Sequence, residues 1–86
     1  MITIYKYPIE VVDYQNVEMP IGAEILSAQA QKDILCLWAK VNQGVEGKSL
    51  RRFRIYGTGH EVQVDGKFID TVQMGPLVWH VFEVDR

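Results

Sequence analysis

The chain has a single cysteine, Cys36, among its 86 residues. That excludes an intrachain disulfide and a cysteine-based zinc site within one chain, and it fits a reducing compartment. Only two histidines occur, His60 and His80, and no His-x-His or His-x-x-x-His pair offers metal-ligand spacing, so no metal is assigned. No apolar run approaches the ~18 residues of a membrane helix. The opening MITIYKYPIEV lacks a basic stretch followed by an apolar one, and so does not read as a signal peptide. The expectation is a soluble, cytoplasmic protein with no membrane partner. A basic excess is missing too: nine Lys and Arg face eleven Asp and Glu, a net charge of −2. That balance argues against general nucleic-acid binding. Catalytic motifs are equally scarce. Ser27 and Ser49 sit in no nucleophile elbow, Cys36 lies within an apolar strand where a thiol is inert, and His60 with Asp65 or Asp70 is the one acid–base pairing to consider. The expectation is a non-enzyme with no catalytic residues and no cofactor.

What the chain has in quantity is apolar residues, 48%. A domain this short buries only a little over ~60% of the surface that its unfolded form exposes. Much apolar surface on so small a body argues for a homo-oligomer. Residues 1–86 read as a single domain, without repeat, linker or low-complexity tract.

Apolar residues recur at period 2, the strand period, and nowhere convincingly at 3.6. Strands are expected at 2–7, 16–19, 24–30, 34–41, 50–56, 61–64, 67–74 and 77–84. Hairpins are expected at Gln31-Lys32-Asp33 and Asp65-Gly66, and Gly75-Pro76 breaks the chain before its last strand. LVWHVFEV, the last of these, is apolar on both faces and so wants cover on both sides. The fold class is all-β: a small antiparallel β-sandwich or partly open barrel of about seven or eight short strands.

Charge is unevenly placed. Lys48, Arg51, Arg52 and Arg54 lie between positions 48 and 60 with no acid among them. On a strand, Arg52 and Arg54 project from one face about 6.5–7 Å apart, a spacing that suits a pyrophosphate, while Arg51 points the other way. Arginine's planar fork donates two parallel bonds to phosphate. Gly57-Thr58-Gly59 follows directly and either makes a plain turn or cradles an anion on its amides. His60 comes next. Tyr56, sharing a face with the arginines, and Trp38, sharing one with Lys40, are the candidate plates for a stacked base. His80, between apolar neighbours, reads as a partly buried imidazole or a further ligand contact. The candidate ligand-binding set is therefore Trp38, Arg52, Arg54, Tyr56, Gly57, Thr58, Gly59, His60 and His80. A solvated edge strand followed by a tight turn is the competing reading of the arginine segment.

Taken together, IYKYPIEV, MPIGAEILS, LCLWAKV, RRFRIYGTGH and LVWHVFEV resemble a family of short, uncharacterised phage and prophage proteins, in order along nearly the whole chain. Short phage proteins of this kind are often inhibitors of host defence. One class comprises oligomeric sponges that sequester nucleotide immune signals such as cyclic ADP-ribose derivatives or cyclic dinucleotides. The resemblance thus implies a non-catalytic, homo-oligomeric protein that binds and withholds a small anionic, nucleotide-derived signal. The alternative is an interaction module that docks on a host or phage protein through a sheet edge or an apolar face.

Overall fold

The computed structural model describes residues 1–63 and 66–85. Seven strands form two antiparallel sheets. They are β1 (Ile2–Pro8), β2 (Tyr14–Pro20), β3 (Glu24–Gln31), β4 (Ile34–Asn42), β5 (Lys48–Gly57), β6 (Lys67–Met74) and β7 (Leu77–Val84). One sheet has the order β1-β4-β3 and the other β2-β5-β7-β6. The expected all-β sandwich is therefore present, and its sheets do not close into a barrel. No helix among the described residues is long and apolar enough to cross a membrane.

Turn chemistry explains the connections. Gln31 pairs with Ile34 across a two-residue turn in which Lys32 (φ 50°) and Asp33 (φ 64°) are both left-handed, the type I′ geometry whose twist matches a hairpin. Gly75 (φ 59°) precedes Pro76 between the paired Met74 and Leu77, as a type II′ turn requires. Between β2 and β3 the chain changes sheets through a turn closed by the Ala23 amide on the Pro20 carbonyl (3.1 Å), with Gly22 at φ 83°.

Period-2 alternation fills the core from both sheets. Leu35, Leu37 and Val41 face Phe53, Val72 and Val81, all at most 1% exposed. Side chains of this size each stabilise by about 1.5–3 kcal/mol when fully buried. The edges β3 and β6 meet where the two sheets join. There a bulge at Phe68–Asp70 breaks the ladder, and the Asp70 carboxylate accepts from the Ala28 amide (3.2 Å) and Gln29 Nε2 (3.0 Å) of β3. The bulge also sends Phe68 outward and lets Ile69 pack on the core. On the opposite side a groove between β1 and β2 is lined by Tyr5, Tyr7, Glu18 and Pro20, with the two tyrosine rings edge to face at 6.3 Å. Burial, with the neighbouring Tyr5, raises the pKa of the Tyr7 phenol above its ordinary value.

Two expectations change. Residues 61–63 are not a strand, and Val64 lies outside the described residues. The reason is topological: β7 is already paired on both sides, with β5 and β6, so the segment has no free edge beside it. The expected Asp65-Gly66 hairpin also falls partly outside, since Asp65 is not described. β5 and β6 are separated by β7 in the sheet, so the connection from Gly57 to Lys67 crosses β7 rather than reversing at a tight hairpin. Its described residues contribute outer cover to the two-faced β7, with Thr58 bonded to His80 and Gly66 close against Glu83 and Val84.

Candidate functional site

Phe53 and Ile55 of β5 face the core, so Arg52, Arg54 and Tyr56 face outward from the four-stranded sheet. Pairing extends that face across its neighbours. Tyr14, Arg54, Phe82 and Phe68 fall in one row over β2, β5, β7 and β6. Tyr56, His80 and Thr71 form the next row.

Tyr14 organises the arginines. The Arg52 guanidinium carbon lies 4.3 Å from the centre of its ring and that of Arg54 4.2 Å. Arg54 also stands 4.9 Å from the Tyr56 ring, and its Nη1 donates to the Tyr14 hydroxyl. Cation–π contacts of this kind each contribute about 0.5–2 kcal/mol, more as they are desolvated. Among the described residues, neither Arg52 nor Arg54 pairs with a carboxylate. The buried Nε–H of Arg54 has no acceptor among the described residues, and Nη2 meets Gln63 Oε1 at 3.5 Å. Arg51 is different. It turns inward and binds Glu83 through Nε and Nη2 and the Ala23 carbonyl through Nη1 at 2.7 Å. The Glu83 hydrogen bond outweighs burial and raises the Arg51 pKa.

The glycine turn closes on itself. The His60 amide donates to the Gly57 carbonyl (3.1 Å), and Gly59 takes φ 89° at the third position, as a type II turn needs. Gly57 N–H donates to His60 Nδ1 at 3.3 Å. Two polar groups that an anion cradle would use are thus engaged within the turn. A groove of about 380 Å³ opens beside it, lined by Gly57, Thr58, His60 and Pro76 to Trp79. His80 anchors the turn to the sheet, its Nε2 lying 2.8 Å from the Thr58 hydroxyl and its Nδ1 3.0 Å from that of Thr71.

Of the nine residues singled out in the sequence, eight therefore gather on this face and its rim. Arg52, Arg54 and Tyr56 form an arginine–tyrosine stack, Gly57, Thr58, Gly59 and His60 form the turn, and His80 lies between them. Trp38 stands apart. It pairs with Lys6 and Ser27 on the outer face of the three-stranded sheet. Asp70, engaged by β3, is no partner for His60, and Asp65 lies outside the described residues. Tyr14 and Trp79 are the functional candidates that sequence reading missed. Tyr14 gives no local signal, because its role depends on β2 pairing with β5. Trp79 was legible only as an apolar residue of the last strand.

No curated protein and no solved structure matches the chain. Residues 1–86 match a family described as Domain of unknown function (DUF7352), and the chain belongs to that family.

Proposed function

We propose that the protein binds a small phosphate-bearing ligand of nucleotide type on the outer face of its four-stranded sheet and holds it unchanged. One observation carries this reading: among the described residues the buried Nε–H of Arg54 has no acceptor, and the arginine beside it has no carboxylate partner. An empty buried donor costs about 1–3 kcal/mol. An anionic oxygen is the acceptor that two adjacent guanidinium groups fit best. Tyr14 holds both forks in place, so less rotamer freedom is lost when the ligand binds. Donors that stabilise a ground-state anion give no rate acceleration, hence binding without turnover. The phage resemblance extends the proposal to a counter-defence role, in which the protein sequesters a nucleotide-derived immune signal in the host cytoplasm.

Isothermal titration with inorganic pyrophosphate tests the site. Arg52→Ala and Arg54→Ala are each expected to weaken binding by about 1.5–3 kcal/mol, the scale of a charge-assisted bond, and ADP incubated with the protein should return intact after heat denaturation. Undiminished binding in both variants would remove the site. Recovery of a cleaved product would make the protein an enzyme.

Self-association belongs to the same proposal. Ile2 and Ile4 are 59% and 57% exposed on β1, an edge strand, where water-facing isoleucines favour a covering partner. The partner proposed is a second copy, and docking on another protein is the alternative. Light scattering at micromolar concentration should give a species larger than one chain, reduced to the monomer by Ile4→Glu. A monomer in the parent protein would leave docking on another protein as the reading.

A further inference from the structure

β1 and β2 each pair on one side only, so the side of the sandwich between them carries no ladder. The groove left there has a volume of about 330 Å³, at the small end of ligand sites and enough for a single polar ring. Tyr5 and Tyr7 form one wall and the free edge of β2, with Glu18, another, while Asn42, Gln43 and Lys48 close the end. The tyrosines leave β1 on the face opposite to Ile2 and Ile4. A second copy laid over the isoleucines therefore leaves the groove open. The groove shares no residue with the arginine–tyrosine stack and does not depend on an anion being bound there.

Its walls are held in place. Tyr7 packs against the core and meets the Tyr5 ring edge to face. Gln43 Nε2 donates to the Tyr5 hydroxyl at 3.0 Å, so that ring is fixed at its body and at its tip. The loop after β4 is itself tied down. The Gln43 amide donates to the Met1 carbonyl (2.9 Å) and the Ile21 amide to the Gly47 carbonyl (3.3 Å). Gly47 takes φ 97°, and a Cβ there would meet Ile21 Cδ1 at 3.1 Å. Groups already in position lose less freedom when a ligand binds.

The polar groups are mixed in kind. Asn42 Oδ1 accepts from the Gly44 amide (2.9 Å), which orients its Nδ2 hydrogens as donors. Gln43 keeps Oε1 as an acceptor, and the Tyr5 O–H remains a donor. Glu18 and Lys48 stand 3.9 Å apart, well beyond a charge-assisted bond of about 2.7–2.9 Å, so one hydroxyl can accept from the ammonium and donate to the carboxylate. An anion is repelled by Glu18 and a cation by Lys48. A zwitterion satisfies both charges but leaves the amides and the aromatic wall unused. A neutral polyol uses all of them, and its weakly positive C–H face suits the negative π face of Tyr5, which is 38% exposed. We infer that this groove binds a neutral pyranose sugar, its C–H face on Tyr5 and its hydroxyls on Glu18, Asn42, Gln43 and Lys48.

The test uses the full chain with D-glucose, D-galactose, D-mannose, N-acetyl-D-glucosamine and their methyl glycosides, and glycine as the zwitterionic comparison. At least one pyranose should bind with a Kd of about 1 mM, the scale for so small a ligand, and its ring protons should receive saturation from the protein in NMR. The backbone amide resonances that shift should include those of Tyr5, Gln43 and Gly47. Tyr5→Leu keeps apolar bulk and removes the π face, and Gln43→Ala removes the amide from an exposed loop. Each should weaken binding at least about fivefold, the scale of one lost stacking contact or hydrogen bond. Gln43→Ala tests the site even if Tyr5→Leu fails to fold. Methyl glycosides bound as tightly as the free sugars make the ligand a glycan terminus, and free sugars alone make it a monosaccharide; both support the site. No sugar bound at about 20 mM, far above that Kd, would overturn it. So would shifts confined to another surface, binding of glycine alone, or full affinity in Gln43→Ala.

Discussion

Arg51→Ala is expected to lower stability by about 2–3 kcal/mol, whereas Arg52→Ala, one residue along, should cost about 0.5–1, the scale of its exposed cation–π contact with Tyr14. The two side chains leave the strand on opposite faces. Arg51 points between the sheets, grips Glu83 with two nitrogens and reaches the Ala23 carbonyl at the start of β3 with a third. The pair is only 22% and 20% exposed, so truncation strands a carboxylate and a carbonyl in a poorly hydrated place. Removing one partner of a fully buried pair costs about 3–5 kcal/mol, and the residual hydration here lowers that figure. Replacing both partners tells the two costs apart. Arg51→Met with Glu83→Leu should recover most of the loss, because nothing charged is then left unpaired. Urea unfolding of the parent protein and the three variants measures this. A loss in Arg51→Ala no larger than in Arg52→Ala would mean that the inter-sheet grip carries no stability.

That contrast also marks what the sequence discloses. Alternation alone separates Arg51 from Arg52 and Arg54, because a strand's side chains switch faces at every residue. The same period locates all seven strands, and turn residues such as Lys32-Asp33 and Gly75-Pro76 join two of the pairs. Which strand lies in which sheet is not written locally. Tyr14 meets Arg54 across 40 positions, and nothing near Tyr14 announces it. Trp38 illustrates the converse. Its face was legible, but the sheet that bears that face was not, so it was grouped with arginines that lie on the other sheet. At Gly57–His60 the turn could be read from its glycines, but not that the His60 ring would take up the Gly57 amide. That choice belongs to a side-chain rotamer.

Gly66→Ala should cost about 2–3 kcal/mol, a steric penalty at the upper end for overpacking, and should weaken pyrophosphate binding as well. Sequence reasoning gives this glycine to a hairpin turn, but the structure assigns it a different need. A Cβ at this position would stand 2.5 Å from the Glu83 carbonyl oxygen and 2.7 Å from Val84 Cγ1. The first of these is backbone of the central strand β7 and cannot rotate away, so the connection entering β6 must lift off the sheet. The earlier part of that connection contributes Thr58 to His80 and Gln63 to Arg54. Displacing its end therefore loosens contacts at the arginine stack as well as packing over β7. Gly59→Ala offers the comparison. It meets nothing within 4 Å but holds φ 89°, so its cost is backbone strain of about 1 kcal/mol or more without a clash. Thermal unfolding and pyrophosphate titration of both variants separate the two causes. A fully stable Gly66→Ala protein would show that β7 and the crossing segment have room between them, and the close approach would cease to explain the glycine.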